Sequence, residues 1–174
     1  MNRALVCLGF LATALAAIPA AAATPIKIKW DLFTVVMPDK PETNSSVVAT
    51  PSGEVSVRSW TLASEGDLYS MSIADYPAKF VASRPAARFL EDGRRGFIDQ
   101  LKGELVSEKT IVIQGHSGTE FSITSDNGDA KARVVMVGRR VYTMFVLARS
   151  SGGAAGAENF LTSLRLKPAN ALGD

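Results

Sequence analysis

Two runs of consecutive apolar residues lie on either side of a glycine between residues 129 and 149. The runs are residues 134–137 and 144–147, and Gly138 and Arg139 lie between them. A strand points successive side chains to opposite faces, so apolar residues at every position are typical of a strand that is covered on both faces. The pattern predicts an antiparallel pair that turns at Gly138 and Arg139 in the middle of a sheet, with other layers above and below.

Shorter β-type runs surround this pair. They predict strands at residues 32–37, 54–63, 68–76, 109–114 and 119–125, with a few β residues at Leu166. In the run 119–125 the alternation points Phe121 and Ile123 inward and Glu120 outward. Residues 24–30 form a short lead-in, and the small polar residues, prolines and glycine of 39–53 predict a loop with room for only a short strand at 46–49.

Helical spacing appears twice. Residues 86–102 place Phe89, Phe97 and other apolar residues on one stripe, with Ser83 as the expected N-cap. Residues 157–164 predict a second, short helix. The strands and helices together predict an α+β fold, an antiparallel β-sheet flanked by helices, in a single domain over residues 24–174.

The first 23 residues have the pattern of a secretory signal peptide. Arg3 precedes an apolar run over residues 4–18, and a small-x-small cleavage site ends at Ala23. The alternative is a retained membrane anchor, but the run is shorter than the roughly 20 residues that a spanning helix needs. We therefore expect a periplasmic or secreted protein with no stable membrane anchor after cleavage. Cys7, the one cysteine, lies within this leader.

The charge balance excludes some partners. The chain has 19 basic and 17 acidic residues, and loss of Arg3 lowers the net charge from +2 to +1. No basic stripe interleaves with aromatic residues, so nucleic acid is not an expected partner.

Little in the sequence suggests chemistry. His116, the one histidine, lies in Gly-His-Ser-Gly at residues 115–118, one residue short of the Gly-x-Ser-x-Gly nucleophile elbow. A lone histidine without cysteine or acidic neighbours cannot hold zinc, and the Asp-Asn-Gly-Asp of 126–129 is typical of a hairpin turn. We predict no catalytic, cofactor or metal site.

The basic doublet Arg139-Arg140 is interpreted first as a solvated turn, because exposed charges usually contribute little, and partner binding is the alternative. Arg139 and Arg140 lie at a predicted hairpin tip, where a partner carboxylate or phosphate can reach them, and His116 lies in another turn. We take these three residues as the candidate partner-binding site. The aromatic residues of the first strands are interpreted as core, with a ligand groove as the alternative. These residues are Trp30, Trp60, Tyr69 and Tyr76.

Several short motifs together resemble the PsbP-like superfamily, especially its small exported bacterial members. They are Phe-Thr-Val-Val-Met-Pro at 33–38, Asp-Tyr-Pro at 75–77, Gly-His-Ser-Gly-Thr-Glu-Phe at 115–121, Arg-Val-Val-Met-Val-Gly-Arg-Arg-Val-Tyr at 133–142 and Phe-Leu-Thr-Ser-Leu-Arg-Leu at 160–166. The resemblance implies an α/β/α sandwich. It also implies action by binding a partner, because no shared active site is associated with the superfamily.

Three functional hypotheses follow. The leading one is an exported, non-enzymatic accessory domain that binds an unknown envelope protein. The second is a carrier of a small apolar ligand in a groove between helix and sheet, and the third is a hydrolase that uses His116.

Overall fold

The computed structural model of the chain describes residues 25–30, 32–50, 53–64, 66–149 and 156–167. The predicted signal peptide lies outside the described residues. The strands are β1 Ile26–Trp30, β2 Phe33–Met37, β3 Glu42–Thr50, β4 Gly53–Ser64, β5 Asp67–Asp75, β6 Glu104–Ile113, β7 His116–Ser125, β8 Gly128–Val137, β9 Arg140–Ala148 and β10 Arg165–Leu166. The helices are α1 Ala78–Ala82, α2 Ala86–Leu101 and α3 Ala157–Thr162.

A seven-stranded antiparallel sheet forms the body of the domain, in the order β3-β4-β5-β9-β8-β7-β6. The predicted pair is β8 and β9, and β9 lies in the middle of the sheet with β5 on its other side. Val135 and Met144 are fully buried and Tyr142 is 3% exposed. The prediction of a central hairpin covered on both faces is therefore confirmed.

Helix α2 covers one face of the large sheet. Its Phe97 lies between two sheet residues, stacking on Phe145 with 5.2 Å between ring centroids and tilting against Phe121 at 5.8 Å. Leu90, Ile98 and Leu101 continue the contact. The apolar stripe that predicted this helix is the surface that it buries.

A second, three-stranded antiparallel sheet covers the opposite face, in the order β1-β2-β10, together with α3. Phe33 of β2 is fully buried and meets the rings of Trp60 and Tyr142 edge to face. The expectation of a sheet between helical layers is correct for the α2 face only. On the other face most of the cover is β structure, because β1 and β2 form a hairpin where the sequence indicated a lead-in and one strand.

A buried carboxylate ties α3 to the large sheet. The carboxylate of Glu120 on β7, 4% exposed, is reached by Arg133 at 2.5 Å, Lys109 at 2.9 Å and Lys131 at 3.3 Å. Arg133 also donates to the carbonyl of Leu161 in α3 at 3.0 Å. The prediction that Glu120 points outward, into solvent, is wrong because the face it points to is covered by α3 and the small sheet.

Two local predictions are corrected. Strand β3 spans Glu42–Thr50, where a loop with a short strand was expected, and it pairs with β4 along its whole length. Apolar alternation does not mark it because both of its faces are exposed. Ser83 does not cap α2: its hydroxyl donates to the carbonyl of Phe80 at the end of the unpredicted α1, and Pro85 takes the N-cap position.

Candidate functional site

One end of the large sheet carries a row of five residues, four of them polar, on the face toward the small sheet. Asp75 is paired with Ser56 on one side and with Arg140 on the other, and Arg140 is paired with Val137. Continuing the β7–β8 register places His116 next to Val137. We call this row, Ser56-Asp75-Arg140-Val137-His116, the ledge. Two adjoining grooves open on it and share Leu32, Asp75 and Arg140.

An ion pair holds the centre of the ledge. Arg140 donates from Nε to Oδ1 of Asp75 at 2.8 Å and from a terminal nitrogen to Oδ2 at 3.1 Å. Burial lowers the pKa of Arg140, but the hydrogen bonds with Asp75 and Tyr142 raise it by more, so the guanidinium stays charged. Burial raises the pKa of Tyr142, and Arg140 opposes this. Because Arg140 engages both Asp75 oxygens, this carboxylate offers little net charge to a ligand.

The first groove, about 430 Å³, brings together all three predicted partner-binding residues. His116, Arg139 and Arg140 line it together with Lys167. Arg139 and Lys167 are exposed, and neither makes an ion pair within the described part of the chain. The neighbouring Gln114 is not available, because its amide bonds the backbone of Leu166 at 2.5 and 2.9 Å.

The second groove, about 460 Å³, adds a cation that the sequence did not indicate. The guanidinium of Arg58 lies 4.2 Å from the ring centroid of Trp30 and donates to Ser45 Oγ at 3.0 Å. The Trp30 ring and the Ser45 hydroxyl together hold the guanidinium in place, and neither neutralises its charge. Arg58 was missed because the contact joins β4 to the small sheet, and no local pattern in the sequence marks that pairing.

The comparisons with known proteins concern the fold. No family model matches the sequence, and no curated protein matches it. Among solved structures, the solution structure of cyanobacterial PsbP (CyanoP) from Synechocystis sp. PCC 6803 superposes with a TM-score of 0.55, at 12% identity, over 90% of this chain and 99% of that one. The chain has a PsbP-like fold. A Pseudomonas aeruginosa protein of unknown function, PA94, a putative regulator by its description, matches at 17% identity over 71% of this chain and 82% of that one, with a TM-score of 0.33.

The PsbP-like fold confirms the resemblance noted in the sequence, and at 12% identity it assigns no role to any residue. Within the described residues, no helix is long and apolar enough to cross a membrane. The same part of the chain contains no group of three or more histidine, cysteine, aspartate or glutamate residues arranged to hold a metal ion.

The geometry around His116 does not form a hydrolytic dyad. His116 and Ser117 are consecutive in β7, so their side chains point to opposite faces of the PsbP-like sheet. Asp75 lies three strands away from His116 along the ledge, about 14 Å at the usual strand spacing. His116 therefore has neither Ser117 as a nucleophile nor Asp75 as an orienting carboxylate.

One helix–sheet groove lies between α2 and strands β4, β5 and β9, but Trp30, Trp60, Tyr69 and Tyr76 do not line it. Its volume is about 270 Å³, and four of its seven sheet-side residues carry hydroxyls, among them Ser70, Ser72 and Thr143. Trp60 and Tyr69 are buried in the core on the opposite face. This space is below the ~300–1,000 Å³ typical of ligand pockets. A second helix–sheet groove, between the start of α3 and strands β7 to β9, has about 880 Å³ and lies within that range, and Asp129, Lys131 and Glu158 are among its lining residues.

Proposed function

We propose that this protein is an exported, non-enzymatic accessory domain that binds an acidic segment of an envelope protein on the ledge. The observation that supports this most is the gathering of Arg58, Arg139 and Lys167 around a carboxylate that Arg140 already engages. The leader-like residues 1–23 support the exported location.

The charges around the ledge differ from those elsewhere on the domain. On α2, Arg88 and Arg95 are paired with acidic residues of the same helix, and Arg94 is paired with Glu108. Around the ledge, the cations other than Arg140 have no such partner in the described ranges. A protein with net charge near zero thus carries a local positive patch, and such patches steer and orient acidic partners.

The form of the site favours a protein segment over a small metabolite. The rim of the ledge carries the long cationic side chains of Arg58, Arg139 and Lys167, beside an apolar wall that includes Trp30 and Leu32. Arg58 and Arg139 lie in different grooves, so a ligand that meets both must extend across the Asp75–Arg140 pair. An extended chain with carboxylates at intervals fits that requirement.

We expect the ledge to bind an acidic peptide. The probe is a peptide of alternating glutamate and glycine, titrated into labelled protein and followed by amide chemical shifts, with a glutamine-for-glutamate peptide as the neutral comparison. Shifts should concentrate at residues 58, 116, 139 and 167. Reversing two rim charges, with Arg139→Glu and Lys167→Glu together, should weaken binding about tenfold, which corresponds to about 1.4 kcal/mol.

The matched control is Arg95→Glu, which reverses an exposed charge on α2. It should leave the affinity within about twofold, since charges beyond a Debye length of ~8 Å are screened at physiological salt. Equal binding of the glutamine peptide, or an equal loss in the control, would refute recognition by the ledge.

A further inference from the structure

Strand β3 is an open edge of the large sheet. It is the first strand in the order, and within the described residues it pairs with β4 alone. Eight of its nine residues are exposed, and Val47 and Val48, which point to opposite faces, are 62% and 48% exposed. On the side away from β4, alternate residues between Glu42 and Ala49 therefore turn their backbone N–H and C=O groups outward, which is a template for pairing with another strand.

The other described edges carry features that block such pairing. In the small sheet, β1 presents the exposed Lys27 and Lys29, and the backbone of β10 is capped by the Gln114 amide. On the far side of the large sheet, β6 has a register shift between Leu105 and Ser107. Charged residues, side-chain caps and bulges are the usual protections of an exposed edge.

Strand β3 has none of these protections. Its register with β4 runs without a break from Glu42 opposite Thr61 to Thr50 opposite Gly53. Its one charge, Glu42, lies at its first position, and it contains no lysine or proline. An unbroken, neutral edge of this length, in a domain whose other described edges are protected, points to a strand that pairs with another chain.

We propose that β3 pairs antiparallel with β3 of a second copy, joining the two large sheets into one continuous sheet. The register that pairs all nine residues has its two-fold axis at Ser46, so Glu42 of one copy faces Thr50 of the other and no like charges oppose each other. Closed two-fold pairing of identical surfaces is the commonest form of self-association. Neutrality along β3 favours a second copy over an acidic or basic foreign strand.

The proposed pairing also predicts how strongly the two copies associate and how they are oriented. A single strand pair buries an area at or below the ~1,200 Å² lower limit of stable interfaces, so the dimer is concentration-dependent. Because the two-fold axis is perpendicular to the sheet, corresponding faces of the two copies lie on the same side of the joined sheet. Ser45 and Val47, which line the Arg58 groove, would then lie on the same face in both copies.

Disulfide trapping tests the register. In a Cys7→Ser background, Ser46→Cys places the two thiols opposite each other at the axis, within the 4.4–6.8 Å Cα separation that a disulfide spans. Val48→Cys is the matched control, because two residues from the axis its two copies are about 14 Å apart. We expect mild oxidation of the full chain to give a covalent dimer with Ser46→Cys and monomer with Val48→Cys. Equal trapping by both variants would overturn the register.

Charge variants test the dimer itself by sedimentation velocity over a range of concentrations. Ser46→Lys or Ser46→Glu alone should abolish self-association, and an equal mixture of the two should restore it as a heterodimer. Val112→Lys, on the edge strand β6, should leave the dimer intact. A wild-type chain that stays monomeric up to its solubility limit, or a dimer lost in Val112→Lys and kept in Ser46→Lys, would refute the proposal.

Discussion

Replacing Glu120 by glutamine should lower the free energy of unfolding by about 3 kcal/mol, the low end of the ~3–5 kcal/mol that follows removal of one partner of a buried ion pair. The variant leaves three cations around a neutral amide, with Arg133 at 15% side-chain exposure. The hydrogen bond from the Arg133 guanidinium to the Leu161 carbonyl and the exposed ion pairs of Glu158 then have to hold α3 on the sheet. Urea denaturation at pH 7, followed by tryptophan fluorescence, measures the loss.

The difference in unfolding free energy between wild type and Glu120→Gln depends on pH, and that dependence identifies its cause. Burial raises the pKa of Glu120, but hydrogen bonds from Lys109 and Arg133 and the charges of Arg133 and Lys131 outweigh it and lower the pKa from 4.5 to about 2. The carboxylate's contribution is therefore complete above pH 4.5 and is lost as pH falls toward 2. The gap between wild type and Glu120→Gln should narrow over that range. The other carboxylates titrate in both proteins, so their contributions to the difference in unfolding free energy largely cancel.

Glu158→Gln is the matched control, since Glu158 contacts Lys131 and Arg133 but is 62% exposed. Exposed pairs contribute at most ~1 kcal/mol, so this variant should remain close to wild type. A pH-independent gap for Glu120→Gln, or an equal loss in the control, would contradict the role assigned to the buried carboxylate.

Truncating Phe33 should cost about 3–5 kcal/mol, the usual range for a buried phenylalanine replaced by alanine. Phe33 is fully buried and joins the small sheet to the large one through Trp60 and Tyr142, with ring centroids at 5.1 and 6.2 Å. Its loss removes two edge-to-face contacts and leaves a cavity between the sheets. Thermal and urea unfolding of Phe33→Ala measure the change.

Thr34→Ala, at the next position of β2, is the comparison for Phe33→Ala. Its side chain points away from the large sheet and is half-buried, so its loss should cost less than about 1 kcal/mol. If Phe33→Ala and Thr34→Ala lost the same unfolding free energy, the small sheet would be stabilised by its own strand pairing and not by packing on the large sheet.

The sequence predicted those parts of the fold in which burial leaves a periodic pattern. The doubly apolar runs of β8 and β9 and the helical stripe of α2 each correspond to a surface that the structure buries. Strand β3 leaves no such pattern because both of its faces are exposed in the part of the chain that the structure describes. The cover of the second face was misjudged because β1 is only partly buried and its hairpin partner is short.

The candidate site was predicted in part. Arg139 and Arg140 were identified from their place at a hairpin tip, and the structure puts them in one groove with His116. Arg58 and Lys167 reach the same ledge from distant parts of the chain, through strand pairing and the docking of β10, and sequence spacing cannot show such contacts. Arg139 and Arg140 also differ in role, because Asp75 engages Arg140 and leaves Arg139 free to meet a partner.

Site-specific photo-crosslinking in the cells that export the protein tests the central claim, that the ledge meets an envelope protein, most directly. A photoreactive residue replaces Ser56, an exposed residue of the ledge, in one version and Arg95 on α2 in the other. We expect one discrete adduct from position 56, weakened when Arg139→Glu is added, and none from position 95. The account would be contradicted by no adduct at position 56, or by the same adducts from both positions.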